Sequence, residues 1–89
     1  HEKMNRKELL SEATKIVASR GKDYGDIKTN HKRIADLWSV ILEKEIKPTD
    51  VAMCMIAVKM ARLIETPEHQ DSWVDIAGYA ATGSECKKT

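Results

Sequence analysis

A chain of 89 residues has room for one domain, and at that size it buries too little surface to be strongly stable unless it associates. Its 42% hydrophobic and 33% charged residues are the usual balance of a soluble globular protein. The formal net charge of +1 excludes a strong overall attraction to nucleic acid or to membrane surfaces.

The cysteines and the chain ends indicate the compartment. Two cysteines do not make a disulfide framework, so we expect a reducing cytoplasm, with Cys54 as a small core residue and Cys86 in a polar tail. The longest apolar run, residues 51–58, is too short to span a bilayer, and no signal peptide is visible. Because three residues precede Met4, a possible start, residues 1–3 are expected to carry no functional weight, and residues 1–5 are expected to be an N-terminal tail.

The first predicted helix covers about residues 6–20. Asn5 is a suitable N-cap, and Glu8 completes the spacing of a capping box. Apolar residues then recur at helical spacing until Gly21, where we expect the helix to end.

A second helix is predicted from about His31 to Glu45, capped by Thr29 or Asn30. Its apolar stripe includes Trp38. The sequence IKPTD then breaks the helical pattern, because proline does not fit a helix interior.

The third helix is predicted from about Asp50 to Glu65. Between Val51 and Ile64 only Lys59 and Arg62 are polar, so the helix is apolar nearly all round. Such a helix has to be surrounded by protein, which four helices of one short chain cannot easily provide. The sequence therefore predicts a helical homodimer or larger oligomer.

The fourth helix is predicted from about Glu68 to Ala81, followed by a polar tail at residues 82–89. No alternating strand pattern competes with these helices. The predicted architecture is all-α, a compact bundle of about four helices, with the helical domain at residues 6–81.

Two pairs of charges suggest a polar site. Asp71 and Asp75 lie one turn apart on the fourth helix, and Lys59 and Arg62 share a face of the third. Because a short connection makes the two helices antiparallel neighbours, the pairs are expected to meet, either as simple salt bridges or around a pocket. In a pocket, the carboxylates would hold a divalent cation and the cations phosphate oxygens.

Gly78 and Tyr79 follow on the same helix. Glycine costs about 1 kcal/mol relative to alanine inside a helix, so either a neighbouring helix or a ligand is expected to approach Gly78 closely. Tyr79 can donate its hydroxyl at the pocket rim or cover the edge of the core.

The segment RGKDYGD adds Lys22 and Tyr24, and the following helix start adds Asn30 and His31. A tyrosine can stack on a base, and a helix N-terminus presents free N–H groups to phosphate. For His31 alone, the competing interpretation is a solvated residue in the first helical turn.

The stretches RGKDYGD, NHKRIADLW, DVAMCMIAVKMARLIE and DSWVDIAGYA together resemble a family of small phage and prophage proteins of uncharacterised function over about residues 20–81. More distantly, the chain resembles the MazG-like all-α nucleoside triphosphate pyrophosphohydrolases. That resemblance implies an oligomer in which acids on two adjacent helices hold magnesium while a water cleaves between the α and β phosphates. Their E-E-x-x-E cluster is missing, since no carboxylate lies between residues 51 and 64.

The resemblance and the residues together predict a phage-type, MazG-like protein that binds or hydrolyses a nucleotide, in the host cytoplasm if it is phage-encoded. In the enzymatic form, Asp71 and Asp75 would be the catalytic ligands of Mg²⁺. The expected substrate-binding residues are Lys22, Tyr24, Asn30, His31, Trp38, Lys59, Arg62 and Tyr79. The alternative is a non-catalytic helical adaptor or inhibitor that binds a host or phage protein.

Overall fold

The structure, a computed structural model, describes residues 3–86, apart from the side chains of Asp23 and Tyr24. This part of the chain contains four helices and no strand: α1 is Arg6–Tyr24, α2 Ile27–Leu42, α3 Pro48–Glu65 and α4 Gln70–Glu85. The predicted all-α, four-helix architecture is confirmed. Residues 1, 2 and 87–89, the outer ends of the two predicted tails, lie outside the described residues.

The predicted boundaries are wrong around the turn between α1 and α2. α1 continues through Gly21 as far as Tyr24, and Gly25 then takes a positive φ of 78°. α2 begins at Ile27 because Asp26 caps it: its carboxylate accepts hydrogen bonds from the backbone N–H and the hydroxyl of Thr29, at 3.2 and 3.0 Å. This start places the first residues of α2 one turn deeper in the helix than predicted.

The later helices also start and end at other residues than predicted. α3 begins at Pro48, and the Asp50 carboxylate accepts the backbone N–H of Lys47 at 2.9 Å. α4 is capped by His69, whose Nδ1 accepts the backbone N–H of Ser72 at 3.3 Å. It extends to Glu85, so residues 82–85 of the predicted polar tail are helical.

The α3–α4 pair is the centre of the packing. α1 packs mainly on α4 and α2 mainly on α3, while α1 and α2 touch each other much less. At Gly83 the two central helices come close, because a Cβ placed there would lie 2.7 Å from the Cβ of Ala52. None of the helices in the described residues is long and apolar enough to cross a membrane.

The buried apolar core is small and consists mostly of small side chains. Its described members are Ala13, Ala35, Val51, Ala52, Leu63, Val74 and Cys86. The prediction for the cysteines is wrong: Cys54 is exposed, because it lies on a face of α3 that no other helix covers, and Cys86 is buried at the end of α4. Burial raises the pKa of the Cys86 thiol.

Replacing Gly83 by alanine is expected to lower the free energy of unfolding by about 1–3 kcal/mol, because the added methyl forces α3 and α4 apart. Gly21→Ala is the matched control. No atom lies within 4 Å of its added methyl, so this change should instead stabilise the helix by about 0.5–1 kcal/mol. Urea unfolding followed by circular dichroism measures both. Equal stabilisation by the two alanines would contradict the close approach at Gly83.

Candidate functional site

All four helices contribute to a cavity of about 360 Å³. This volume lies at the lower end of the range of small-molecule sites, about 300–1,000 Å³. Most of its wall is apolar: Ala13, Ile16, Val17, Ile27, Ile34, Val51, Met55 and Val74. The polar groups in the wall are Arg20, Asn30, His31, Asp75, Tyr79 and Thr82. An apolar wall with a few converging polar groups is the usual composition of a ligand site.

His31 is the most unusual residue in this wall. It is 5% exposed, in the second turn of α2, so the expectation of a solvated first-turn residue is wrong; the earlier start of α2 turns it inward. Its Nδ1 lies 3.0 Å from the carbonyl oxygen of Ile27, which has no proton to give, so Nδ1 donates. In the neutral ring, Nε2 is then an acceptor, and it is buried without a hydrogen-bond partner among the described residues.

An unsatisfied buried acceptor of this kind costs about 1–3 kcal/mol. Tyr79 is the aromatic neighbour of His31, with ring centroids 6.4 Å apart and the rings tilted by 50°. The cavity wall therefore contains an imidazole beside an aromatic ring, and an N–H or O–H donor that reached the buried Nε2 would satisfy it.

Asp75 of the cavity wall forms an ion pair with α3. Its carboxylate lies 3.1 Å from the ammonium of Lys59, and the two side chains are only 14% and 25% exposed. The predicted ion pair between these two residues is confirmed. No such pair joins Arg62 and Asp71 in the described residues, and both are exposed. Arg62 is turned about 60° around α3 from Lys59, away from α4, because three residues make less than one full turn.

The predicted magnesium ligands do not fit a metal site in this structure. Asp71 is exposed at the start of α4, whereas the carboxylate of Asp75 is neutralised by Lys59. No group of three or more His, Cys, Asp or Glu residues that could hold a metal ion occurs in the described part of the chain. Two carboxylates, one of them paired with a cation, are a poor donor set for Mg²⁺.

Gly78 lines the cavity, and helix packing does not require it. A Cβ at this position would lie 3.4 Å from Cγ2 of Val17, an ordinary contact distance. The glycine needed for packing is Gly83. Of the two explanations that the sequence left open for Gly78, the geometry favours the one in which it leaves room in the cavity.

The remaining predicted residues are scattered. Lys22 is exposed and Trp38 is half-buried, and neither lines the cavity, although Asn30 does. The side chain of Tyr24 lies outside the described residues. Arg20, which the sequence reasoning missed, lines the cavity because it continues the stripe of α1 formed by residues 13, 16 and 17. The helical spacing of residues 13, 16, 17 and 20 could have identified Arg20 from the sequence.

A second concave region, of about 610 Å³, lies beside the start of the chain and of α4. Two of its polar groups have partners: the backbone N–H of Met4 donates to Oε1 of Gln70 at 3.2 Å, and Trp73 Nε1 donates to the carbonyl oxygen of Pro67 at 3.0 Å. No buried side-chain nitrogen or oxygen of this region lacks a hydrogen-bond partner in the described residues. It therefore lacks the unmet hydrogen-bonding demand that marks the first cavity.

Comparison with known proteins identifies relatives. The profile of a domain of unknown function, DUF6378, matches residues 8–87. The chain is 50% identical over 74 residues to the Gene 55 protein of Mycobacterium phage L5, and 48% identical over 73 residues to the Gene 55 protein of Mycobacterium phage D29. Each match covers 81% of this chain but only 47% and 48% of the relative, so the chain spans about half the length of these curated relatives. No solved structure matches.

Proposed function

The chain belongs to the DUF6378 family and is similar to phage proteins, and from its structure we propose that it binds a nucleotide. The base would be held in the cavity between the four helices. The observation that carries the proposal is His31 in a mostly apolar wall, with a buried Nε2 that has no hydrogen-bond partner among the described residues. A nucleobase is complementary to this wall, because it has flat apolar faces and an edge with N–H donors.

The polar groups around His31 suit the edge of a base. The Asn30 amide both donates and accepts, and the Asp75 carboxylate accepts. Tyr79 offers a ring face and a hydroxyl. A base with an amino group next to a ring nitrogen could bond to several of these groups at once, whereas a purely apolar ligand would leave the imidazole unsatisfied.

Phosphate binding would fall to the exposed cation of the cavity wall, Arg20. A guanidinium binds phosphate oxygens through two parallel hydrogen bonds. Lys22, exposed two residues further along α1, supplies a second positive charge near the same helix end. Lys59 is less available, because it is already paired with Asp75.

Hydrolysis is the enzymatic version of this proposal, and its motivation is the resemblance to MazG-like enzymes. In that version Asp71 and Asp75 hold Mg²⁺, which would require Asp75 to leave Lys59. The geometry favours nucleotide binding without metal over metal-assisted hydrolysis. Asp75 is already paired with Lys59, and the described residues contain no group of three possible metal ligands.

The test is calorimetric titration of the purified chain with nucleosides, nucleotides and inorganic phosphate, with Mg²⁺ and with a chelator, followed by chromatography of the products. We expect nucleosides to bind, nucleotides to bind more tightly, and phosphate alone to bind poorly. His31→Phe removes the acceptor and should weaken binding about tenfold, the value of one hydrogen bond. Trp38→Phe, outside the cavity, is the control.

Absence of binding by every nucleoside and nucleotide at millimolar concentration would overturn the proposal. Release of monophosphate and pyrophosphate only in the presence of Mg²⁺ would establish the enzymatic version. Binding that survives His31→Phe unchanged would place the ligand elsewhere.

The second candidate is the adaptor. Ten large apolar side chains are exposed among the described residues, and where such side chains form a contiguous patch they mark a contact with protein. Pull-down of a host or phage protein by the wild-type chain but not by a variant with a charged α3 face would support it.

A further inference from the structure

The exposed apolar residues on α3 form a regular stripe. Met53, Ala57, Met60 and Ile64 follow each other at intervals of four, three and four residues, which keeps them on one side of the helix. All four are exposed, Ile64 by 84%, and no charged residue interrupts them. The face of α3 that packs inside the chain is a different one. The stripe is therefore an additional apolar face with no cover among the described residues.

α2 carries a stripe of the same period. Ile27, Asn30, Ile34, Leu37 and Ile41 recur at intervals of three and four. The first three line the cavity, whereas Leu37 and Ile41 are 63% and 72% exposed. This face of α2, apolar except for Asn30, thus begins in the cavity and continues to the end of the helix without cover among the described residues.

The total accessible surface of the chain is larger than that expected for a compact monomer of its mass. A compact monomer of 10.0 kDa is expected to have about 5,200 Å² of accessible surface, whereas the chain has 6666 Å². The excess of about 1,400 Å² exceeds the roughly 800 Å² that each partner buries in a standard protein interface. An excess of this size is what we expect when a partner chain covers part of the surface.

We propose that a second copy of this chain covers both stripes in a two-fold dimer. The 3-4 period common to both stripes is the one at which two helices pack side by side, so a stripe of one copy matches a stripe of the other. A two-fold interface uses the same surface on both subunits, and an uncharged stripe meets no repulsion from its own copy.

The dimer also bears on the cavity. Because Leu37 and Ile41 extend the cavity-lining face of α2, a second copy that covers them lies at the end of the cavity and lengthens its apolar wall. This consequence matters for ligand binding only if the proposed function holds. The dimer itself rests on the stripes and on the surface area.

Sedimentation equilibrium of the ligand-free chain at micromolar concentrations tests the dimer. We expect twice the 10.0 kDa mass of the chain. Met60→Glu and Ile41→Glu should each shift the equilibrium to monomer, because they bury a charge in the interface. Ser11→Glu, which adds the same charge at an exposed polar position of α1, should leave the dimer intact.

Thermal unfolding of the wild-type chain gives a second readout that does not require the variants to fold. The melting temperature of a dimer rises with protein concentration, whereas that of a monomer does not. A wild-type mass of one chain, a melting temperature independent of concentration, or a dimer unaffected by both stripe variants would overturn the proposal. Nucleotide is absent throughout, so the result is independent of what the cavity binds.

Discussion

Asp75→Asn is expected to lower the free energy of unfolding by about 2–3 kcal/mol, because it leaves the ammonium of Lys59 without its partner in a mostly buried position. Loss of one member of a fully buried ion pair costs about 3–5 kcal/mol. The side chains here keep 14% and 25% of their exposure, so water offsets part of that loss. Denaturant unfolding at neutral pH measures the change.

The exposed pair Lys32–Asp36 is the matched control. Its charged atoms lie 3.0 Å apart, close to the 3.1 Å of the buried pair, but the side chains are 67% and 66% exposed. Asp36→Asn should therefore cost only about 0.2–0.5 kcal/mol.

A double-mutant cycle sharpens the test of the buried pair. Lys59→Met alone strands Asp75, whereas Lys59→Met combined with Asp75→Asn removes both charges and should recover part of the loss. If the two single changes simply added, Lys59 and Asp75 would not interact in solution, and the ion pair at the cavity wall would be contradicted.

The second large effect is expected on ligand binding. Gly78→Leu should weaken nucleotide binding by about a hundredfold or more, equivalent to about 2.7 kcal/mol, because the side chain beyond Cβ enters the cavity. The fold should persist, since the new Cβ meets Val17 only at 3.4 Å and leucine is the better helix former. Calorimetric titration and circular dichroism measure the two properties separately.

Gly21→Leu is the control for this prediction. It makes the same chemical change inside a helix, at a position with no atom within 4 Å of the new Cβ. Binding to this variant should equal that of the wild type. If Gly78→Leu also bound like the wild type while folded, the cavity would not be the ligand site. Gly78→Ala, which adds a single methyl, should fall between the two.

The helical periodicity of the sequence was sufficient to predict four helices and their order. It did not predict where α2 starts, because Asp26, Thr29 and Asn30 are all good caps and local preference does not choose among them. The burial of His31 depended on that choice. A start at Asp26 places the residue inside the helix, with its ring turned to the cavity, while a start at Asn30 would have left it in solvent.

Only one of the two predicted ion pairs of the polar site is present, because local sequence does not determine how the helices are rotated against each other. The Lys59–Asp75 pair follows from two antiparallel helices joined by a short turn, which the sequence shows. Whether Arg62 and Asp71 meet depends on how far each is rotated from the contact line, which is a property of helix packing. Cys54 illustrates the same limit, since a helix that is apolar on all sides does not reveal which side faces inward.

Because Cys86 is buried, we expect Cys54 on α3 to be the more reactive of the two thiols. A raised pKa leaves less thiolate at a given pH, and thiolate is the form that reacts with oxidants and alkylating reagents. Cys54 is exposed, beside the uncovered stripe of its helix. A maleimide dye added to the native protein should therefore label α3 alone, and its fluorescence would report directly on whatever comes to lie against that helix.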